Sequence, residues 1–169
     1  MKDNIRMLVT FGFMAVLALI CSLTAISLQQ LHAINESMGK LVEVTNNKTA
    51  AANAMRDALH LRSGSLKTMR LHEDLFDRDN EQQRLVRHAA KFRHARDTLV
   101  TLGMNEKESA IHAELQQVNT ASEVFHDNAS ALLMKYAPDS VVDSAMEKDT
   151  RLQDLMTVKL DELIFIEQE

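Results

Sequence analysis

A chain of 169 residues suits one domain plus a short extra element, and 4 glycines, 1 proline and 4 % aromatic residues leave little vocabulary for turns or sheet. Ala, Leu, Met, Glu, Gln, Lys and Arg dominate, and these are the strong helix formers, so the expected fold class is all-α. The net charge of −5 is too mild to argue for nucleic acid, and no such partner is expected. The single cysteine, Cys21, can neither pair within the chain nor build a two-cysteine metal site, so it leaves the redox compartment unread.

Residues 1–6 carry Lys2 and Arg6 against Asp3 and form the expected cytoplasmic N-terminus. The uncharged run MLVTFGFMAVLALICSLTAISL then fills residues 7–28. A bilayer core of about 30 Å takes roughly 20 helical residues, so this run is expected to be a transmembrane helix. Its basic flank stays inside and the remainder of the chain, residues 29–169, is sent across. That predicts a periplasmic domain held in a bacterial inner membrane by one visible span. The competing reading is a cleaved signal peptide, for which Ala25, Ile26 and Ser27 form a tolerable small-x-small pattern. The run exceeds the roughly 7–15 apolar residues of a signal core, and no turn former separates it from the helical pattern beginning at Gln29. The bulky Ile20 before Cys21 also spoils a lipoprotein cleavage site. The anchor is the favoured reading.

Beyond residue 28 the breaks are few. Asp77, Arg78, Asp79 and Asn80 form one, Gly103 with Asn105 a second, and Ala137, Pro138 and Asp139 a third. Each combines an N-cap former, a C′ glycine or a proline past a helix end. The predicted helices therefore cover about 29–76, 81–102, 105–136 and 139–169. Apolar residues recur at alternating three and four spacing in each. The first seam runs from Leu31, Ile34, Met38 and Leu41 through Met55, Leu59, Arg62, Leu66 and Met69 to Glu73 and Phe76. The third runs Ile111, Leu115, Val118, Ser122, Phe125, Ala129, Leu132, Tyr136. The fourth contains Val142, Ala145, Asp149 and Met156, with a weak place at Lys159. A period near 3.5 means long helices packed side by side, and short connections make them antiparallel neighbours in an up-down bundle. At 1.5 Å per residue the first helix reaches roughly 70 Å beyond the anchor, while the second returns only about 33 Å. The text from Ile164 to Glu169 has no cap or stop, so the helix is expected to continue towards a second membrane span.

A transmembrane helix running into a long first helix, a short return and two long helices resembles the sensory four-helix bundle of methyl-accepting chemotaxis receptors. Gln30-Leu31-His32-Ala33-Ile34-Asn35 is similar to that family's juxtamembrane stretch. Ala54-Met55-Arg56-Asp57-Ala58-Leu59, continuing to Leu66, Met69 and Leu71, is similar to its distal first helix. The resemblance spans essentially the whole chain. It implies an extracytoplasmic input domain that works as a homodimer, binds a small and often anionic ligand such as an amino acid or organic acid, and passes a helix displacement across the membrane. The same bundle serves histidine kinases and diguanylate cyclases, so the output domain is left open. A reading from another class is a membrane-tethered structural or adaptor bundle with no small-molecule ligand.

Arginine suits an anionic ligand because its planar, permanently charged fork holds a carboxylate with two parallel bonds. Arg56, Arg62 and Arg70 lie on the distal half of the first helix. Arg56 and Arg70 fall about 40° apart around the axis with Ser63 between them, and Lys67 is close by. Arg62 instead points into the seam, where an unpaired charge is costly. Taking Phe76 level with Asp139, antiparallel register sets Arg62 opposite about Gln153, one turn from Asp149. Two readings are open. Arg62 either pairs with Asp149 to fix register between helices one and four, or reaches a ligand with Asp149, Thr150 and Gln153 on the opposite wall.

On the second helix Arg84, Arg87, Lys91 and His94 form a basic stripe, read as a solvated face balanced by Glu114, Glu123 and Asp127. Of the seven histidines, His88 is expected to be a satisfied core residue, with His60, His72 and His94 facing solvent. None stands at metal-ligand spacing with a carboxylate on its own face, so no metal or cofactor is expected. No phosphate-cradling loop or nucleophile elbow occurs, and no enzymatic activity is expected.

Overall fold

Helix-forming composition with few breaks yields four α-helices in the computed structural model, which describes residues 2–166; the side chains at 2–11, 13 and 15–18 lie outside the description. These are α1 (Lys2–Leu71), α2 (Leu75–Thr101), α3 (Glu106–Met134) and α4 (Asp139–Ile166). The described residues contain no strand.

The chain divides into two compact units, Met1–Glu43 and Val44–Glu169. The first is the N-terminal part of α1, on which the seam residues Leu31, Ile34, Met38 and Leu41 are exposed. The anchor expected over residues 7–28 falls in part on side chains outside the description, those at 7–11, 13 and 15–18. Among the described residues, no helix is long and apolar enough to cross a membrane.

The second unit is a four-helix bundle, and its core states the topology. One apolar cluster joins Ala52, Met55 and Leu59 of α1 to Phe92 and Leu99 of α2, Leu115 of α3, and Met156, Leu160 and Leu163 of α4. The other joins Leu66 and Met69 to Leu85, to Ala129 and Leu133, and to Val142 and Ala145. Between the clusters residue numbers rise along α1 and α3 and fall along α2 and α4, which is the up-down arrangement that short connections enforce. Ion pairs fix the register of α1 against α4. Arg56 meets Asp161 at 2.8 Å and Arg70 meets Asp143, which sets Arg62 level with Gln153, as the spacing predicts. The weak seam place at Lys159 is half-buried and bonded to Glu114 at 2.8 Å and Glu162 at 3.0 Å.

The first turn lies elsewhere than expected. It occupies residues 72–74, and Asp77 to Asn80 stand inside the first turns of α2. Asp74 is the N-cap, its carboxylate accepting from the Phe76 backbone N–H at 3.2 Å. Arg78 explains the position. Its guanidinium is buried, donates from Nε to the His72 carbonyl at 2.7 Å and from Nη1 to the Leu133 carbonyl, and stacks 4.2 Å from the centroid of the Tyr136 ring. One cation thereby satisfies carbonyls at the C-terminal ends of both α1 and α3, where unbonded C=O groups concentrate negative charge. Tyr136, at φ 52°, supplies the left-handed residue that ends α3, and its hydroxyl donates to the Glu73 carbonyl at 2.8 Å. Consequently Glu73 and Phe76, expected in the seam, are exposed. The second break holds its place: Gly103 takes φ 81°, and Asn105 forms a full capping box with Glu108.

Candidate functional site

Between the two apolar clusters the bundle carries a polar layer, made by Arg62 on α1, Ser122 and His126 on α3, and Asp149 and Gln153 on α4, all buried. Its centre is Asp149, only 2 % exposed. Ser122 Oγ donates to Oδ1 at 2.9 Å, Gln153 Nε2 donates to Oδ2 at 2.7 Å, and His126 Nδ1 lies 2.9 Å from Oδ2. An ionised carboxylate only accepts, so this geometry places a proton on His126 Nδ1 and turns Nε2 away from Asp149.

Arg62 stands apart from this network. It is 5 % exposed, makes no hydrogen bond or ion pair among the described residues, and its Nε is enclosed without a partner. Burial draws its pKa below the ordinary arginine value; the fields of Asp149, Glu123 and Asp127 oppose that fall and Arg93 adds to it. The side chain lines a cavity of about 70 Å³ together with Gln82, Leu85, Val86, Ala89, His126, Asp127 and Ser130. Ser130 Oγ donates to Gln82 Oε1 across this wall. The compact Ala89 on α2 stands where a larger residue would fill the space. His126 Nε2 is likewise enclosed without a partner among the described residues. Arg62 and His126 therefore both contribute to the wall of this cavity, while the enclosed Arg62 Nε and His126 Nε2 themselves present almost no surface.

Of the residues singled out by sequence, Arg62, Asp149 and Gln153 come together in this layer. Thr150 is half-buried beside Asp149 and makes no hydrogen bond among the described residues. Arg56 and Arg70 do not join them. Arg56 bonds Asp161 and, at 2.7 Å, Asn53 Oδ1, while Arg70 bonds Asp143, all with partly exposed side chains. Exposed pairs of this kind contribute little. Arg56→Ala and Arg70→Ala should each lower the unfolding free energy by no more than about 1 kcal/mol in a urea titration. Of the two readings left open for Arg62, the register pair with Asp149 is not a contact; Ser122, His126 and Gln153 lie against that carboxylate instead. Helical spacing alone does not single out His126, Gln82 or Ser130 as site residues. His126 nevertheless carries a legible signal: it lies four residues after Ser122 and three before Ala129, which puts it on the same helical face.

Two further histidines have consequences for pH. His88 is half-buried with Nδ1 enclosed and unpartnered, so it is not the satisfied core histidine expected. Its pKa is lowered by burial first, then by Lys91 and Arg87, with Glu81 opposing. His112 is lowered by burial and then by Arg96. A histidine depressed in the folded chain binds its proton more readily when unfolded, so stability is lost as pH falls from the unfolded value of about 6.5 through the folded one. The melting temperature should drop between pH 7 and pH 5, and His112→Gln should flatten that dependence. The basic stripe of Arg84, Arg87, Lys91 and His94 is exposed along its length, with Arg84 bonded to the buried Glu81 at 2.9 Å.

No protein-family model and no curated protein sequence matches the chain. Its fold is similar to a solved structure described as the periplasmic sensor domain of a sensor histidine kinase. The TM-score is 0.68 at 14 % identity, covering 79 % of this chain and 88 % of that one.

Proposed function

We propose that this chain is the extracytoplasmic sensory input module of a transmembrane receptor, and that it responds to a small anionic ligand held at Arg62. The carrying observation is the Arg62 side chain itself: 5 % exposed, without a hydrogen bond or ion pair among the described residues, and lining a cavity at mid-bundle. A purely architectural arginine in such a layer is compensated by a hydrogen-bonded ion pair, because an unpaired buried charge costs several kcal/mol in order of magnitude. Arg62 lacks that compensation, and an anion would supply it.

Likeness of fold to a periplasmic sensor domain supports the input role. In this reading the apolar run over residues 7–28 is a membrane anchor in a bacterial inner membrane, and the working unit is a homodimer. A ligand that binds one arrangement of the helices better than another shifts α4 against α1 by a small sliding motion, and only such unequal affinity does so. The output is a chemoreceptor signalling domain, a histidine kinase or a diguanylate cyclase; the likeness of fold to a kinase sensor domain and the resemblance of α1 to chemoreceptors point in different directions.

The test is thermal melting of the full chain, in detergent micelles, against amino acids, organic acids and small inorganic anions. A ligand at 100 times its Kd adds about 2.7 kcal/mol of stability. Arg62→Ala should abolish the shift and Arg56→Ala should preserve it. A flat response to every compound would favour the adaptor bundle instead.

A further inference from the structure

A groove of about 370 Å³ lies between α3 and α4, separate from the cavity at Arg62. From α3 it takes Phe125 and Leu132, both half-buried; from α4 it takes the buried Ala145 and Val141, which is 47 % exposed. Phe125 and Leu132 stand at seam positions of the heptad, yet Ser122 and Ala129 take the buried places beside them. This part of α3 therefore carries more apolar surface than the core encloses. Asn128, Ser140 and Ser144 add neutral hydrogen-bonding groups, and Lys148 is the single ionisable residue of the wall.

Lys148 sets the charge of the groove. Its ammonium stands 5.7 Å from the centroid of the Phe125 ring, within cation–π range, and has no carboxylate partner among the described residues. The acids nearby are turned elsewhere. On α4, Asp143 pairs with Arg70, Glu147 pairs with Arg151, and Asp149 accepts from the buried polar layer. On α3, Glu123 accepts from Asn119, and Asp127 lines the cavity at Arg62. None of these is in the wall, nor is Asp139 at the start of α4. Lys148 and Phe125 mark one end of the groove along their helices, and Ser140 and Leu132 the other. A lone cation at the end of an apolar trough is complementary to a molecule with one carboxylate and a hydrocarbon body. The volume agrees, since small-molecule clefts occupy about 300–1,000 Å³ and combine an apolar lining with a few polar groups.

We propose that the α3–α4 groove is a second ligand site, for a small monocarboxylate with an apolar body, its carboxylate on Lys148 and its body against Phe125, Leu132 and Val141. The inference does not rest on the reading of Arg62. Lys148 directly precedes Asp149, and Phe125 directly precedes His126. An occupant therefore grips the outer side of the same two turns that carry the polar layer on their inner side, and bears on the packing of α3 against α4.

Calorimetric titration of the full chain in detergent micelles, with heats into empty micelles subtracted, compares benzoate, acetate and benzyl alcohol. Benzoate should bind saturably. Acetate lacks the body and benzyl alcohol lacks the charge, so each should be at least about tenfold weaker. Lys148→Gln should weaken benzoate by about tenfold, and Ser144→Phe, which fills the groove, should abolish its binding. Both positions are exposed, so neither change threatens the fold. Arg151→Gln removes a cation one turn along the same helix and should leave benzoate binding unchanged. No saturable heat with benzoate, an equal Kd in Lys148→Gln, or equal binding of acetate overturns the site. Binding lost in Arg62→Ala but kept in Lys148→Gln and Ser144→Phe also overturns it and assigns benzoate to the cavity at Arg62, with the sensory reading intact. A dimer in sedimentation that Ser144→Phe dissociates gives the groove to a second copy of the chain and overturns the ligand site.

Discussion

Asp149→Ala should lower the unfolding free energy by about 3–5 kcal/mol, whereas Arg62→Met should cost clearly less, on the order of 1 kcal/mol. The difference comes from the layer's geometry. Asp149 is the acceptor for Ser122, His126 and Gln153, so its removal strands three buried donors and takes away the nearest counter-charge of a buried guanidinium. Arg62 has no protein partner to strand among the described residues. Methionine keeps much of its length, fills the same seam and removes a desolvated charge, which offsets most of the cost of taking a cation from the neighbourhood of Asp149. Ser122→Ala, which deletes one of the three bonds, should cost about 1 kcal/mol and calibrates the comparison. Urea midpoints for the three variants are the measurement. A loss in Arg62→Met as large as that in Asp149→Ala would mean that Arg62 holds the bundle together, and the ligand reading would fall. A variant of near wild-type stability that no longer responds to anions is instead the pattern expected of a ligand site.

Glu108→Ala should be comparably severe, again about 3–5 kcal/mol, for an unrelated reason. Glu108 is 3 % exposed and does two jobs at the start of α3. Its Oε2 accepts from the Asn105 backbone N–H at 2.9 Å, completing the capping box, and lies 2.7 Å from the buried Lys48 ammonium of α1. Alanine removes the reciprocal half of the capping box, worth about 1 kcal/mol or less, while Asn105 still caps the residue-108 N–H; it also leaves Lys48 without that carboxylate in a buried position, which is the larger loss. Glu108→Gln separates the two, since its amide oxygen still serves the cap while the charge is gone; it should fall between alanine and wild type. Lys48→Met should recover part of the loss when combined with Glu108→Ala, and the double-mutant cycle gives the coupling. Equal midpoints for Glu108→Ala and wild type would show that the pair contributes nothing.

How much of the fold is legible in the sequence differs by element. Helical class, the number of helices beyond residue 28, and the depth of residues such as Met55, Leu99, Leu115 and Met156 come from composition and a 3.5-residue period, both local properties of the text. The register is legible too, because connection lengths constrain which turns of α1 and α4 lie side by side; Arg56 with Asp161 and Arg70 with Asp143 sit where that arithmetic puts them. The α1–α2 turn is not. Asp74 and Asp77 to Asn80 are both acceptable helix starts, and the choice falls to Arg78, whose carbonyl partners on α1 and α3 are brought together only by folding.

The sequence by itself therefore determined an all-helical bundle with a polar layer at the level of Arg62 and Asp149, since periodicity says which residues face inwards and at what height. Only the tertiary structure decided what those residues do once inside. Periodicity assigns a level, not a partner, and at that level Asp149 is taken by Ser122, His126 and Gln153 before Arg62 can reach it. The cation meant by its spacing for a neighbouring helix is left instead beside a cavity, and His126, a flanking residue in the heptad, becomes the link between that cavity and α4.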